Sequence, residues 1–209
     1  MTKLKLTYFD VSASRGEECR LALHVAGLPF EDERLAGADW MARKASVPFG
    51  ALPVLEVEGK GQLAQSNAIL SYIGHLGGLL PQDAFEAARH EALLNAVEDL
   101  RVTLRPVNRI KDPEEKKKAR TEFANGYLQE WAGHVEQQLG VGGAGPFVGG
   151  SAISVADLKL FVAVGTFISG GIDHIPADIF KAFPKLTTLH DAVKAHPKVA
   201  EWQAKSHKA

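Results

Sequence analysis

Only one cysteine, Cys19, occurs in 209 residues, so no intramolecular disulfide can form and a reducing, cytoplasmic setting is expected. Neither sign of charge dominates: 24 Lys and Arg stand against 25 Asp and Glu, for a formal net charge of -1. A nucleic-acid or acidic-membrane binder would need a basic face, so neither partner is expected. Long apolar runs are missing as well. The most hydrophobic stretch, "LKLFVAVGTFISGG", contains Lys159 and is too short to span a bilayer, so it reads as a buried core helix. The opening residues lack an apolar h-region, and no signal peptide is expected. There is no internal repeat, and no motif calls for a metal.

What is present is an ordinary globular composition, 45% apolar and 23% charged, long enough for one large domain or two small ones. "KLTYFDV" reads as a strand. In "EECRLALHVAG", Leu21 with Val25 and Ala22 with Ala26 make a helical stripe that Gly27 and Pro29 end. "FEDERL" suits a short, polar edge strand, and "LPVLEVEGKGQLAQ" a hairpin turning at Gly59 and Gly61. "SNAILSYIGHLGG" is a helix with Ser66 as N-cap, Ile69, Leu70 and Ile73 facing inward, and Gly77 at its end.

After "LLPQDAFE" the pattern turns wholly helical. Residues 87–110 carry Leu94, Val97, Leu100 and Leu104 at helical spacing, and Pro106 is expected to kink the helix. In "DPEEKKKAR", Asp112 caps a helix, Pro113 takes its first turn and Glu115 closes a capping box; the charges form a solvated face. Ser154 and Asp157 form a second box. "GVGGAG" matches the dinucleotide-binding fingerprint, but a helical segment precedes it and Pro146 follows, so it is read as a flexible loop. The fold class is α/β followed by all-α.

The stretch "LTYFDVSASRGEECRLAL" sets three hydroxyls, Tyr8, Ser12 and Ser14, at a strand-to-helix turn, a place suited to chemistry. Cys19 falls a turn inside the helix and reads as packing. Together with "DWMARK", "PFGALPVL", "QSNAI", "EDLR" and "SVADL", the "YF" of this stretch resembles the cytosolic glutathione transferases over nearly the whole chain. The tyrosine-type classes, sigma, alpha and pi, are nearest. The resemblance implies a thioredoxin-like domain over 1–79 and an α-helical domain over 87–209 that contributes the electrophile site.

It also implies glutathione as co-substrate, with no further cofactor. Leu52 would pair with the peptide backbone of the ligand, next to a Pro53 that the family holds in cis. Gln65 and Ser66, at a helix N-terminus whose dipole favours an anion, would take the γ-glutamyl carboxylate. Trp40 and Lys44, one helical turn apart, would take the glycyl carboxylate, and Arg15 joins the same binding set. Tyr8 matches the catalytic tyrosine. A free thiol has a pKa near 8.5, and half ionisation at pH 7 needs about 2 kcal/mol, which one hydrogen bond to a charged group supplies. The gap from Tyr8 to Arg15 is one residue longer than in sigma-type sequences, and other classes use a serine here, so Ser12 and Ser14 stay as alternatives.

Two positions depart from the family. Ala51 stands where Gln is frequent, and Asn95 where an Asp often reaches the partner subunit's ligand; Glu98 or Asp99 could substitute for it. The expected activity is conjugation of the glutathione thiolate to an apolar electrophile. Isomerisation and non-catalytic glutathione binding are the alternatives. Residues 11–13, the helix around Arg105 and Asn108, and the C-terminal tail would line the electrophile pocket. A homodimer is expected, with Phe49 inserted against the partner's helix carrying Leu93, Leu94 and Val97.

Overall fold

Strand β1 (Leu4–Phe9) alternates Leu4, Leu6 and Tyr8 on one buried face, in a computed structural model that describes residues 2–206. Thr7, on its other face, is buried too, as a central strand requires. Helix α1 (Ser14–Val25) follows, then β2 (Glu31–Leu35), parallel to β1. Helix α2 (Gly37–Arg43) runs into two short 3-10 turns, Lys44–Ser46 and Pro48–Gly50. The hairpin β3 (Val54–Val57) and β4 (Gly61–Ala64) completes a sheet of order β2-β1-β3-β4. Gly59 and Gly61 both take positive φ at its turn, as the spacing suggested, and the polar β2 is an edge strand.

Helix α3 (Ser66–Gly77) starts one residue earlier than capping chemistry suggested. Gln65, at φ 71, is the N-cap and makes no side-chain cap bond, which leaves Ser66 as the first helical residue. At the other end Gly78, in the left-handed conformation, closes the helix where Gly77 had been expected to. Ile69, Leu70 and Ile73 have no exposed surface, as their spacing predicted.

The chain divides into two compact units, residues 1–80 with 195–209, and residues 81–194. The last helix, α9 (Pro197–Ser206), thus groups with the sheet, whereas the sequence reading had counted 87–209 as one helical domain. The reason lies in its contacts with α1. Lys198 Nζ donates to Val25 O at 2.7 Å, and the Trp202 ring packs on His24 and Phe30.

The second unit holds α4 (Ala84–Arg109), α5 (Pro113–Asn125), α6 (Tyr127–Gln138), α7 (Val155–Ile168) and α8 (Pro184–Ala195). Helix α4 continues through Pro106. Asp112 accepts from Glu115 N at 2.8 Å, but Glu115 makes no return bond, so only half of that box forms among the described residues. The Ser154–Asp157 box forms in full. Helix α7 is the core helix its composition called for. Its Lys159 is fully buried because Nζ reaches Glu98 Oε1 at 2.6 Å. Residues 140–150 form turns between α6 and α7, with one isolated bridge, Phe147 to Gly150.

Candidate active site

Register assembles the site. Thr7 pairs with Val54 and Val54 with Ala64, making one row across β1, β3 and β4. The strands alternate in direction, so one step further brings Tyr8, Pro53 and Gln65 to the same end of the sheet. The Leu52–Pro53 bond is cis, as the resemblance implied. Leu52 lies outside β3, and its N–H and C=O find no backbone partner among the described residues, which leaves them for an extended peptide. Ser66 follows Gln65 and is 5% exposed, in a first helical turn that contains no acidic residue.

Trp40 and Lys44 are brought up by α2. Lys44 N donates to Trp40 O as the helix cap, so the two stand one turn apart as their spacing suggested. The carbon stem of Lys44 lies along Gly50, in the turn leading to Leu52. The Trp40 ring meets Phe9 edge-on at 6.1 Å, and Phe9 meets Tyr8 at 5.4 Å. What anchors α2 escaped the sequence reading. Arg43 makes a two-pronged bond to Glu33 on β2, at 2.8 and 3.1 Å, and Thr7 Oγ1 donates to Glu33 Oε2 at 2.7 Å. Bonding to Arg43 holds the Glu33 carboxyl below its ordinary range.

Tyr8 is 7% exposed, and its ring lies directly on the backbone of α1. A Cβ added at Gly16 would fall 2.0 Å from Tyr8 Cδ1, so only glycine fits there without moving the ring. Arg15 is half-buried in the first turn of α1. Ser12 is exposed, and Ser14 is partly exposed, with φ 60. Cys19 is fully buried, in keeping with a packing role.

Glu98 is bonded within its own unit, to Lys159 and to Arg101 Nη1 at 2.9 Å. Asp99 lines a groove of about 380 Å³ between α4 and α6, with Leu93, Ala96, Trp131 and Val135 as its apolar wall. Leu94 and Val97, expected on a receiving surface, have no exposed area and face the core instead. Val11 is 46% exposed in the first unit, and on α4 Asn108 Oδ1 accepts from Arg120.

The chain matches the family described as "Glutathione S-transferase, N-terminal domain" over residues 4–75, and "Glutathione S-transferase, C-terminal domain" over residues 98–206. It is 34% identical to a hematopoietic prostaglandin D synthase of Gallus gallus over 210 residues, covering 100% of this chain and 98% of the relative. It is 33% identical to glutathione S-transferase 1 of Ascaris suum over 211 residues, with 100% and 98% covered. A solved glutathione S-transferase from Ascaris lumbricoides superposes with a TM-score of 0.79 at 29% identity, covering 98% of this chain and 97% of that one.

Proposed function

The chain belongs to the glutathione S-transferase family, and from that premise we propose that it binds glutathione, ionises its thiol beside Tyr8 and adds the thiolate to an apolar electrophile. The observation that carries this reading is the shared row of Tyr8, cis-Pro53 and Gln65 at one end of the sheet. The Tyr8 hydroxyl donates to the thiolate sulfur. The Leu52 N–H and C=O pair with the cysteinyl backbone. Gln65 and Ser66 take the γ-glutamyl carboxylate at the α3 N-terminus, and Trp40, Lys44 and Arg15 complete the binding set. The test is calorimetric titration with glutathione, followed by absorbance assay with an activated aryl halide. Failure to bind glutathione would overturn the reading.

The 34% relationship to a prostaglandin D synthase favours isomerisation as a second reading of the same thiolate. An isomerisable substrate in the same assay separates the two, and glutathione binding with turnover of neither class would leave a non-catalytic binding protein. The setting we propose is cytoplasmic detoxification by a homodimer. No helix among the described residues is long and apolar enough to cross a membrane.

Ser66→Ala is expected to weaken glutathione binding about tenfold, the value of a lost hydrogen bond to a charged group. The loss should show in affinity more than in melting temperature, because Gln65 and not Ser66 stands at the cap. Calorimetry beside a thermal melt checks this; an unchanged dissociation constant would remove Ser66 from the site.

The dimer reading has its own support. Phe49 is 79% exposed and held at φ 57, an unusual conformation for a bulky residue, between Pro48 and Gly50. The groove walled by Leu93, Ala96, Trp131 and Val135 is the apolar receptor proposed for the partner's ring. A buried aromatic anchor is worth about 2 kcal/mol or more at an interface, so Phe49→Ser should raise the dimer dissociation constant at least about 30-fold. Sedimentation at low concentration reads this out, and a variant that stays dimeric there would show that Phe49 is not the anchor.

A further inference from the structure

A line of buried polar contacts joins the end of the chain to the loop behind Tyr8. Trp202 Nε1 on α9 donates to Glu17 Oε1 on α1 at 2.6 Å. The other oxygen of Glu17 makes no hydrogen bond and lies 3.5 Å from Arg20 Nη1. Arg20 has no exposed surface. Its Nε donates to Asp32 Oδ1 at 2.8 Å, while Nη1 and Nη2 donate to Val11 O at 2.7 Å and Phe9 O at 3.1 Å. Those two carbonyls flank Asp10, in the loop that leaves Tyr8. The guanidinium carbon also stands 5.8 Å from the centre of the Tyr8 ring.

A buried guanidinium is stable only while its charge and donors are satisfied, so the two carbonyls and two carboxylates around Arg20 form one unit. Within it Glu17 is the variable member. Its hydrogen bond to the indole fixes the carboxylate with its other oxygen 3.5 Å from Arg20 Nη1. If that donor were lost, the carboxylate would no longer be held beside Nη1, and the guanidinium that holds Val11 O would lose a fixed counter-charge. The contact that fixes the loop's path would then weaken. Tyr8 would feel the change directly, because its ring rests on the α1 backbone at Gly16 with no room for a methyl group.

We propose that Trp202 is a positioning residue for Tyr8, acting through Glu17 and Arg20 on the Phe9–Val11 backbone. This rests on the reading of Tyr8 as the group that stabilises the thiolate. It gives α9 a role in the chemistry of an active site assembled from the other end of the chain. The indole N–H, rather than the ring's bulk, carries that role.

Trp202→Phe keeps an aromatic ring against His24 and Phe30 while removing the N–H donor. The measurement is the ultraviolet thiolate absorbance of bound glutathione as a function of pH, together with kcat and KM at pH 6.5. The thiol pKa should rise by about half a unit or more, so that kcat/KM at pH 6.5 falls about threefold or more with KM for glutathione nearly unchanged. Lys198→Met loosens α9 by removing the bond to Val25 O; it should lower the melting temperature without moving the thiol pKa. Glu17→Gln, which weakens the tie to Arg20, should raise the thiol pKa as well, and is the variant to use if Trp202→Phe does not fold. A lowered thiol pKa in the wild type, unchanged in both relay variants, would overturn the relay alone. So would an equal shift in Lys198→Met. An ordinary thiol pKa in the wild type would overturn the Tyr8 reading itself, and this role with it.

Discussion

Tyr8→Phe is expected to lower kcat/KM for conjugation about 10–30-fold at pH 7, while glutathione affinity stays within a few-fold. The size follows from the thiol. Holding it half ionised at pH 7, against a free value near 8.5, takes about 2 kcal/mol, and losing that leaves only a few per cent of bound ligand as thiolate. Affinity survives because Gln65, Ser66, Trp40, Lys44 and Leu52 hold the ends and the middle of the peptide. The deficit has a pH signature. The hydroxyl lowers the thiol pKa, so its removal matters most at pH 6–7 and progressively less above about pH 8.5, where glutathione ionises unaided. A stopped-flow or steady-state profile from pH 6 to 9 tests it. If Tyr8→Phe is mild and Ser12→Ala or Ser14→Ala cripples turnover, the thiolate is held by a serine.

Asp157→Ala is expected to be the most destabilising single change in the helical unit, at about 3–5 kcal/mol. The fully buried carboxylate accepts from Val148 N at 2.7 Å, Ser154 N at 2.8 Å and Ser154 Oγ at 2.6 Å. Truncation leaves the two backbone N–H groups buried without partners, at about 1–3 kcal/mol each, and removes half of the α7 capping box, worth about 1 kcal/mol. Burial also pushes the carboxyl up to about 6, although the bonds from Ser154 and Val148 draw it down. The folded protein therefore holds this proton more tightly than the unfolded chain, whose Asp titrates near 3.9. The resulting contribution to stability is complete below about pH 4 and is lost as pH rises through about 6. The stability gap between wild type and Asp157→Ala should be larger at pH 5 than at pH 7.5. Urea unfolding at both values measures it. A gap that widens with pH would mean that the hydrogen bonds keep Asp157 ionised and outweigh its burial.

Much of this molecule follows from short-range chemistry that can be read along the chain. Alternation in Leu4, Leu6 and Tyr8, the glycines at 59 and 61, the cap at Asp112 and the box at Ser154 and Asp157 each act over a few residues. Their physical effect is nearly independent of what surrounds them. The candidate ligand contacts at Trp40, Lys44, Leu52, Pro53, Gln65 and Ser66 are proposed from motif, spacing and the family resemblance. The meeting of Tyr8, Pro53 and Gln65 at one end of the sheet was decided by strand register, which depends on pairing across the fold.

Much of the polar interior was hidden. Helix α1 reads as an amphipathic helix with one apolar stripe, yet it is buried almost all round, with Glu17, Glu18 and Arg20 inside. The one local hint was the opposite charges of Glu17 and Arg20 at a spacing that shares a helix face. Their partners, Asp32 on β2 and Trp202 some 185 residues beyond Glu17, belong to elements that only packing brings together. The same holds for Lys159, which reads as a flaw in an apolar run until Glu98 of α4 stands beside it. A buried charge is tolerable only with a partner in contact, and sequence separation places no limit on where that partner comes from.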